Sequence, residues 1–493
     1  MVSRHRCALA SLIRRRCQGR CLSGTAVEEV HTSPASRPKL VMAPRTRPEK
    51  GGDARVSRRM PWIFRNEAVN VDELRASGRE ALLVNVENSE GRELGIAMCN
   101  LSKGGSTGVN ILGRMLTDNV AVDVNVEFFM ARVRSALEHR QRVLPGKSSY
   151  RLLNAEGDHL PGVLCDRYGD VSASKLCVQF TALAAERLFC EDILDSLEAV
   201  ISPSAVVLRY DARADRTLEQ AGIRKPEIVR GDLPGPVECK DESGFVFAAD
   251  LLAEGWTSGS FFEAQTLRGL LASALSALEK GSPTTSAHQR QKASAPQPGR
   301  RTPQVLSLFG ESSGVFCAAQ GALSSCFVPA WGFPEEAKEA LEMLAARNGC
   351  SEKVTVSSLS KEPSLSELGG ESSRCKFDIV SLEPPPLAPT YGSVEEGARL
   401  YTAWTALAAS ATKPGGLLVI SCRSRTMSAV RLMRCINLAV WSVGLRARLV
   451  HRSAHAGLDS PIHFALQDTN QLQTVGLRIL QGTGAGTARA EEL

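Results

Sequence analysis

The sequence lacks the patterns that mark several large classes of protein. No run of about 18 apolar residues occurs, so no membrane-spanning helix is predicted. The 14 cysteines include no Cys-x-x-Cys pair, which argues against a zinc ribbon and against a disulfide framework. The formal net charge is only +6, so charge by itself is equally compatible with nucleic-acid contact and with an ordinary solvated surface. What remains, at 493 residues and 43% hydrophobic content, is a globular chain of about two to four domains.

Acidic residues are also missing from the first 27 positions, where six arginines are interspersed with small apolar residues. This composition is typical of an organelle transit peptide, which we predict over residues 1–31, with the mitochondrion as the expected destination. The alternatives are a basic arm that binds RNA, and a location in another organelle or in the cytoplasm. Residues 32–57 are rich in Pro, Arg, Gly and Ser and are predicted to be a disordered linker.

Periodicity divides the rest of the chain into three units. Short alternating strands predict a small β-rich unit at residues 58–115. A helix at 126–142, followed by further strands, predicts a central α+β unit at residues 120–240. Strands and helices then alternate through residues 241–481, which predicts an α/β unit with a mostly parallel sheet and helices on both faces.

Two segments of this last part of the chain have no helix or strand pattern. Residues 281–303 are rich in Ser, Thr, Gln, Pro, Arg and Lys and contain no large apolar residue, so they are predicted to be a disordered insertion. Residues 482–493 are predicted to be a flexible tail. Between them, the α/β unit is expected to close with two strands, near residues 462–467 and 474–480.

Two of the predicted strands bring special residues to their carboxyl ends. The strand at 304–309 runs into Gly310 and Gly314. The strand at 377–382 ends at Glu383 and three prolines, which cannot continue a β-ladder. In a doubly wound sheet, ligands bind in the crevice outside the carboxyl ends of the strands. We therefore predict a ligand site across the ends of these two strands.

Two stretches carry a resemblance to a known family. Residues 61–64 (PWIF) are similar to the first motif of an RNA-binding PUA domain, and residues 150–168 (YRLLNAEGDHLPGVLCDRY) closely match the motif YRLI..E.DGLPGL..DRYG. From about residue 59 to about residue 480, the chain thus resembles the large-subunit ribosomal RNA methyltransferases. The best-known members join a PUA domain, a small α+β domain and a Rossmann-like domain that uses S-adenosylmethionine. They methylate carbon 5 of a cytosine.

The resemblance implies a PUA-like barrel at residues 58–115 and a Rossmann-like methyltransferase domain at residues 241–481. It implies methyl transfer from S-adenosylmethionine to a cytosine carbon 5 of organellar large-subunit rRNA. Ribosomal RNA or a large-subunit precursor is the expected partner, and a homodimer is a further expectation. The other hypothesis is an inactive relative that binds RNA as a ribosome assembly factor or ribosome component. No metal is expected, because His451 and His455 lie four positions apart without a nearby cysteine or carboxylate set.

The family's cofactor motifs align with two stretches of the chain. On that resemblance, the cofactor-binding residues are Gly259, Phe261, Phe262, Glu263, Phe309, Gly310, Glu311, Ser312, Ser313, Gly314 and Phe316. Val315 stands where the family has a second glycine, and residues 329–332 (PAWG) replace the acidic residue that holds the ribose hydroxyls. These departures predict that S-adenosylmethionine binding is weakened or lost.

Catalytic and RNA-binding roles rest on the same resemblance. Cys422 lies in a stretch close to the family's SCS motif, and its thiolate would add to carbon 6 of a flipped-out cytosine while Glu383 hydrogen-bonds the base. The alternative for Cys422 is a small buried residue at a strand end. Trp62, Lys103 and Arg151 are the candidate RNA contacts.

Overall fold

The structure is a computed structural model. It describes residues 37–44, 52–102, 111–169, 173–210, 225–253 apart from 242, 262, 265–279, 302–309, 312–329, 334–359, 364, 368, 370–389, 391–424, 426–453, 457–466 and 472–480. The predicted transit peptide, the predicted tail and residues 281–301 of the predicted insertion lie outside these ranges. No helix among the described residues is long and apolar enough to cross a membrane.

The first unit is built on a five-stranded sheet with the order β1-β3-β4-β5-β2. Its strands are β1 (Lys39–Val41), β2 (Trp62–Phe64), β3 (Ala81–Glu87), β4 (Glu93–Asn100) and β5 (Ile111–Thr117), and its helices are α1 (Gly52–Ser57) and α2 (Val71–Arg75). A disordered linker over residues 32–57 is therefore wrong for two segments. Strand β1 pairs in parallel with β3, and Leu40 and Met42 are fully buried beside it. A three-residue strand is too short to show a period, so only its tertiary pairing reveals it.

The central unit places two helices against a second five-stranded sheet. Its order is β10-β9-β8-β7-β6. The elements are α3 (Val126–Val143), β6 (Tyr150–Asn154), β7 (Val163–Tyr168), β8 (Lys175–Phe180), α4 (Leu183–Ile201), β9 (Ala205–Tyr210) and β10 (Glu227–Gly231). The helix predicted at 126–142 is confirmed as α3, which begins where the Asn125 side chain accepts a hydrogen bond from the Phe128 amide at 3.1 Å. Its apolar stripe buries Phe129 and Val133, and the Phe129 ring lies 5.1 Å from that of Phe189 in α4.

The third unit contains a seven-stranded sheet with the order β15-β14-β13-β16-β17-β19-β18. A hairpin and a helix precede it: β11 (Val237–Lys240), β12 (Val246–Ala249) and α5 (Gln265–Glu279). The sheet and its helices are β13 (Gln304–Leu308), α6 (Ser313–Ala319), β14 (Leu323–Pro329), α7 (Pro334–Arg347), β15 (Val354–Leu359), β16 (Phe377–Leu382), α8 (Val394–Ala411), β17 (Thr412–Cys422), α9 (Ala429–Ser442), β18 (Arg446–Ser453) and β19 (Gln473–Leu480). Short 3-10 turns occur at Arg65–Glu67, Ala155–Asp158, Ser351–Lys353, Gly370–Ser373 and Tyr391–Ser393.

This sheet is mostly parallel, as the alternating pattern predicts. Strands β13 to β17 pair in parallel, and β19 runs antiparallel to both β17 and β18. Helices α5, α6 and α7 cover one face with a core that includes Leu271 and Val315, while α8 and α9 cover the other with Trp404 and Ile436. The layers are those of a doubly wound α/β domain.

A buried arginine of the central unit also bonds to the third unit. Arg140 of α3 is fully buried, and its guanidinium forms a bidentate pair with Asp158, one bond of which measures 2.7 Å. The same group donates to the backbone oxygens of Asp459 at 2.7 Å and of Arg151 at 2.9 Å. The Asp459 carboxylate in turn accepts from the Arg151 amide at 3.1 Å. These contacts fix the two units against each other.

The segment before β19 takes part in this junction and not in the sheet, so the strand expected near residues 462–467 is wrong. Its described residues form turns. The Pro461 backbone oxygen accepts a hydrogen bond from the Asn154 side chain at 2.9 Å. The His463 ring lies edge-on to that of His159, with centroids 5.9 Å apart. Burial lowers the pKa of both histidines. Contacts with the central unit thus replace the strand pairing that the apolar pattern suggested.

Candidate active site

The register of the parallel strands brings the predicted site residues to one edge of the sheet. Leu308 at the end of β13 is paired with Leu382 at the end of β16, which is paired with Ile420 of β17. Phe309 and Glu383 therefore follow adjacent strand ends, and β17 ends two residues later at Cys422. This edge is the position at which doubly wound sheets bind their ligands.

Glu383 is a buried carboxylate at this edge. Only 1% of the residue is exposed, and the Ser381 hydroxyl donates a hydrogen bond to its Oε1 atom. Its backbone N–H donates to the Leu308 oxygen at 3.4 Å, which ties it to the neighbouring strand. An ionised carboxylate has about four acceptor sites. A hydroxyl on one oxygen thus leaves capacity to accept hydrogen bonds from a ligand.

Phe309 forms a bend directly after β13. Its φ of 81° lies in the left-handed region, which is uncommon for a residue other than glycine. The ring packs edge-on against Trp404 of α8 with centroids 4.8 Å apart, and the residue is 6% exposed. The ring of Phe309 therefore belongs to the core, and its backbone changes direction at the carboxyl end of β13. Gly310 and Glu311 lie outside the described part of the chain.

Gly314 allows α6 to lie close to the sheet. A β-carbon at this position would come within 2.4 Å of the Cys326 Sγ atom and 2.8 Å of the Ser307 Cβ atom. Val315 is fully buried in the core, so its side chain occupies space between helix and sheet. Phe316 packs on Phe245 with ring centroids 5.4 Å apart. Gly314 and Phe316 thus both serve packing between helix and sheet. Gly314 has the role that the third glycine has in dinucleotide-binding motifs.

Two serines lie at the start of α6. Ser312 precedes α6 and is partly exposed, whereas Ser313 is the first residue of the helix and is 2% exposed. Among the residues assigned to cofactor binding near the first loop, Ser312 is the one whose described side chain retains solvent access.

Cys422 lies at the end of β17 and is 1% exposed. Burial raises the pKa of its thiol, and hydrogen bonds involving Tyr401 and Ser424 offset part of that rise. The thiol contacts the Ser424 backbone oxygen at 4.0 Å. At neutral pH the thiol is therefore protonated and covered. Nucleophilic attack requires both removal of the proton and opening of this cover.

A clamp that sequence reasoning did not find joins the segment just after Cys422 to Ala388. The Ser424 hydroxyl accepts a hydrogen bond from the Ala388 amide at 3.0 Å, and the Thr426 hydroxyl donates to the Ala388 oxygen. Tyr401 of α8 is fully buried, and this burial, together with the Cys422 thiol, raises the pKa of its phenol well above the usual value. No local motif marks these residues, because the segments that they join are nearly 40 positions apart in the chain.

The second predicted cofactor stretch is described only at Phe262. This residue is 2% exposed, and its ring lies 5.1 Å from Tyr168 of the central unit and 6.4 Å from Phe247 of β12. It therefore packs in the junction between the central and third units. Gly259, Phe261 and Glu263 lie outside the described residues.

Two of the candidate RNA contacts are engaged within the chain. The Trp62 indole N–H donates to Glu156 at 2.8 Å, which joins the first unit to the central one. The Arg151 guanidinium pairs with Asp166, one of its contacts measuring 3.2 Å. Lys103 lies outside the described residues. Within the described chain, no group of three His, Cys, Asp or Glu side chains is arranged to hold a metal ion.

Comparison with proteins of known sequence identifies relatives along most of the chain. No family model matches. The chain is 24% identical over 442 residues to the ribosomal RNA large subunit methyltransferase I of Shewanella frigidimarina, which spans 89% of this chain and 100% of that protein. It is 25% identical over 430 residues to a ribosomal RNA large subunit methyltransferase of Deinococcus radiodurans, spanning 86% of this chain and 94% of that one.

Comparison with solved structures defines the class of fold. A protein from Streptococcus mutans described as a SAM-dependent methyltransferase superposes with a TM-score of 0.66 at 14% identity, over 90% of this chain and 100% of that one. A methyltransferase solved with S-adenosylhomocysteine superposes with a TM-score of 0.64 at 15% identity, with the same coverage. The fold is therefore that of S-adenosylmethionine-dependent methyltransferases. S-adenosylmethionine is the cofactor that these comparisons support.

The described residues at the sheet edge fit part of such a cofactor. The ribose hydroxyls and the amino group of S-adenosylmethionine are hydrogen-bond donors, and the Glu383 carboxylate is an acceptor held at the end of β16. The end of β14 differs, because the strand closes at Pro329 and offers no carboxylate there. Residues 330–333 lie outside the described chain. The fit thus rests on the β13 and β16 ends.

Proposed function

We propose that this protein is an S-adenosylmethionine-dependent methyltransferase that acts on large-subunit ribosomal RNA. The observation that carries the proposal is the juxtaposition of a buried carboxylate, Glu383, and a thiol, Cys422, at the carboxyl edge of a methyltransferase-type sheet. The similarity to ribosomal RNA methyltransferases over 86–89% of the chain supports RNA as the substrate.

Within this proposal, Glu383 hydrogen-bonds the target base, as the resemblance implies, and its remaining acceptor capacity is available to the cofactor. The cofactor would supply an electrophilic methyl group when bound. The target is a cytosine carbon 5. The thiolate of Cys422 adds to carbon 6 of the flipped-out base, which makes carbon 5 nucleophilic, and loss of the carbon 5 proton after methyl transfer releases the thiolate. Because the thiol is buried and contacts Ser424, whose hydroxyl is bonded to the Ala388 amide, substrate binding must first open the clamp at Ala388.

Three finer assignments belong to the same proposal. The first unit serves as a PUA-like RNA-binding domain, the protein acts in the mitochondrion, and residues 1–31 direct it there. The arginine-rich, acid-free N-terminus supports the targeting assignment.

A calorimetric titration of the full-length protein with S-adenosylmethionine and with S-adenosylhomocysteine tests cofactor binding. A truncation at residue 58 is unsuitable, because it removes β1 from the first sheet. A dissociation constant of about 1 μM would support the proposal. Silence up to millimolar ligand from a folded sample would refute it.

Transfer of a labelled methyl group to large-subunit rRNA tests the chemistry. Cys422→Ala should lower the rate by about a thousandfold or more, the scale expected when a covalent nucleophile is removed. Cys165→Ala is the matched control, since Cys165 is a buried cysteine of β7 in the central unit and not at the carboxyl edge of the third unit's sheet. Equal activity of the two variants would exclude the covalent role of Cys422.

A second candidate function is an RNA-binding ribosome factor without methyltransferase activity. The observation that favours it is the covered Cys422 thiol, whose pKa is raised by burial. This candidate predicts RNA binding by a folded protein that does not bind S-adenosylmethionine. The two titrations together, with cofactor and with RNA, separate the candidates.

A further inference from the structure

One long stretch of the chain has no negative charge. Between Glu396 and Asp459 there is no acidic residue, while nine lysines and arginines occur. Over the whole chain the numbers are nearly balanced, at 59 basic and 53 acidic residues. The charges of this segment therefore differ from the nearly even mixture of basic and acidic residues in the whole chain.

The fold gathers part of this stretch on one side of the third unit. Strand β18 is the edge strand of the seven-stranded sheet, and α9 lies immediately before it in the chain. Four arginines of these two elements are exposed: Arg434, Arg446, Arg448 and Arg452. No guanidinium of the four forms a hydrogen bond or ion pair with another described residue. A fifth, Arg431, does pair with Glu395. We call α9 and β18 with these four arginines the basic edge.

Exposed apolar side chains accompany these charges. Trp441 in the last turn of α9 is 62% exposed, and Leu449 and Val450 of β18 are 51% and 49% exposed. Arg434 and Trp441 lie seven positions apart in α9 and therefore share one face of that helix. An exposed tryptophan on the same face as an arginine is a combination suited to RNA, because the arginine neutralises a phosphate while the aromatic face stacks on an unpaired base.

The basic edge leads to the candidate active site. Strand β18 runs in the same direction as β17, since both are antiparallel to β19. Ser453 at the end of β18 is paired with Thr474, which is paired with Ser421 next to Cys422. The carboxyl end of the edge strand is thus level with the thiol, two strands away. An RNA strand that follows β18 from Arg446 to Arg452 therefore ends at the carboxyl ends of the sheet strands, where the candidate active site lies.

We propose that the basic edge binds the phosphodiester backbone of single-stranded RNA, with Trp441 stacking on a base. The inference deepens the proposed function, because it assigns the surface that guides substrate RNA to the site. Binding by this edge can nevertheless be measured without methyl transfer. Pairing of two copies through β18 is disfavoured, since arginines on both edge strands would bring like charges together.

The test compares two variants that lose the same net charge. The edge variant carries Arg434→Gln, Arg446→Gln, Arg448→Gln and Arg452→Gln. The control variant carries four substitutions of exposed basic residues of the central and third units outside the basic edge, namely Arg134→Gln, Arg142→Gln, Lys240→Gln and Lys376→Gln. Fluorescence anisotropy of a labelled single-stranded RNA is measured over a series of KCl concentrations, and circular dichroism confirms that both variants are folded.

For the edge variant, the slope of log affinity against log salt should fall by about 3, at about 0.7 per lost phosphate contact. Trp441→Ala should weaken binding by about fivefold or more without changing the slope. An unchanged slope, or an equal fall in the control variant, would overturn the proposal. So would an edge variant that binds RNA normally but loses self-association in sedimentation. If wild type binds RNA with the expected slope but transfers no methyl group, the proposed function fails while this inference stands.

Discussion

Replacement of Arg140 by alanine should loosen the junction between the central and third units. The guanidinium is fully buried and holds Asp158, whose side chain is 5% exposed, together with the backbone oxygens of Arg151 and Asp459. Its loss leaves an uncompensated buried carboxylate. Breaking a buried pair in this way costs about 3–5 kcal/mol.

This free energy corresponds to a large fall in melting temperature. At about 2–4 °C per kcal/mol for a unit of 150–250 residues, the transition that includes the central unit should move down by about 6–20 °C. Differential scanning calorimetry of the full-length protein measures the shift. Arg134→Ala is the matched control, because Arg134 lies on the same helix but is exposed, so its change should stay within about 0.5 kcal/mol.

A double variant separates charge burial from lost packing. In Arg140→Met with Asp158→Leu both charges are removed, so no uncompensated charge is left, and stability should recover in part relative to Arg140→Ala. A loss below about 1 kcal/mol for Arg140→Ala would refute the reasoning. It would mean that water reaches Asp158 and that the two units are not fixed by this pair.

Three further predictions follow from the third unit and its junction. Gly314→Ala should lower the free energy of unfolding by about 1–3 kcal/mol, because the added methyl group overpacks the space between helix and sheet. Gly269→Ala, with open space around its β-carbon, should be neutral or stabilising. Denaturant unfolding measures both changes. The covered Cys422 thiol should react with a thiol reagent far more slowly than the exposed Cys375 at neutral pH, and equal rates would contradict its burial. Burial lowers the pKa of His463, so the unfolded chain binds its proton first as the pH falls. Stability should therefore be intact above about pH 6.5 and decline below it, and His463→Gln should flatten that decline in thermal melts.

The segment order of the protein could be predicted largely from its sequence. The strands at 377–382 and 474–480 and the helix at 126–142 match observed elements to within about one residue. The apolar pattern of these segments extends over enough residues to distinguish a strand or a helix from a chance arrangement. The short strand β1 and the turns near Pro461 were mispredicted, because pairing partners elsewhere in the chain decide their conformation.

The candidate site was only partly accessible to the same reasoning. Glu383 and Cys422 were identified as single residues from motifs, and the structure brings both to one edge. The clamp that Ser424 and Thr426 form with Ala388 was missed, since a hydrogen bond across nearly 40 positions leaves no periodic pattern in the sequence. Trp62 was expected to contact RNA, and the structure shows its indole donating to Glu156 of the central unit.

By itself, the sequence determined which segments are apolar strands and helices, where glycine and proline interrupt them, and that residues 397–458 have no acidic side chain. These are local properties, set by side-chain volume, polarity and backbone freedom. Only the tertiary structure decided that Glu383 and Cys422 share an edge, that the thiol is buried, and that Arg434, Arg446, Arg448 and Arg452 have no carboxylate partner among the described residues. The physical reason is that strand register and ion pairing depend on neighbours brought together by folding, and no local pattern encodes those neighbours.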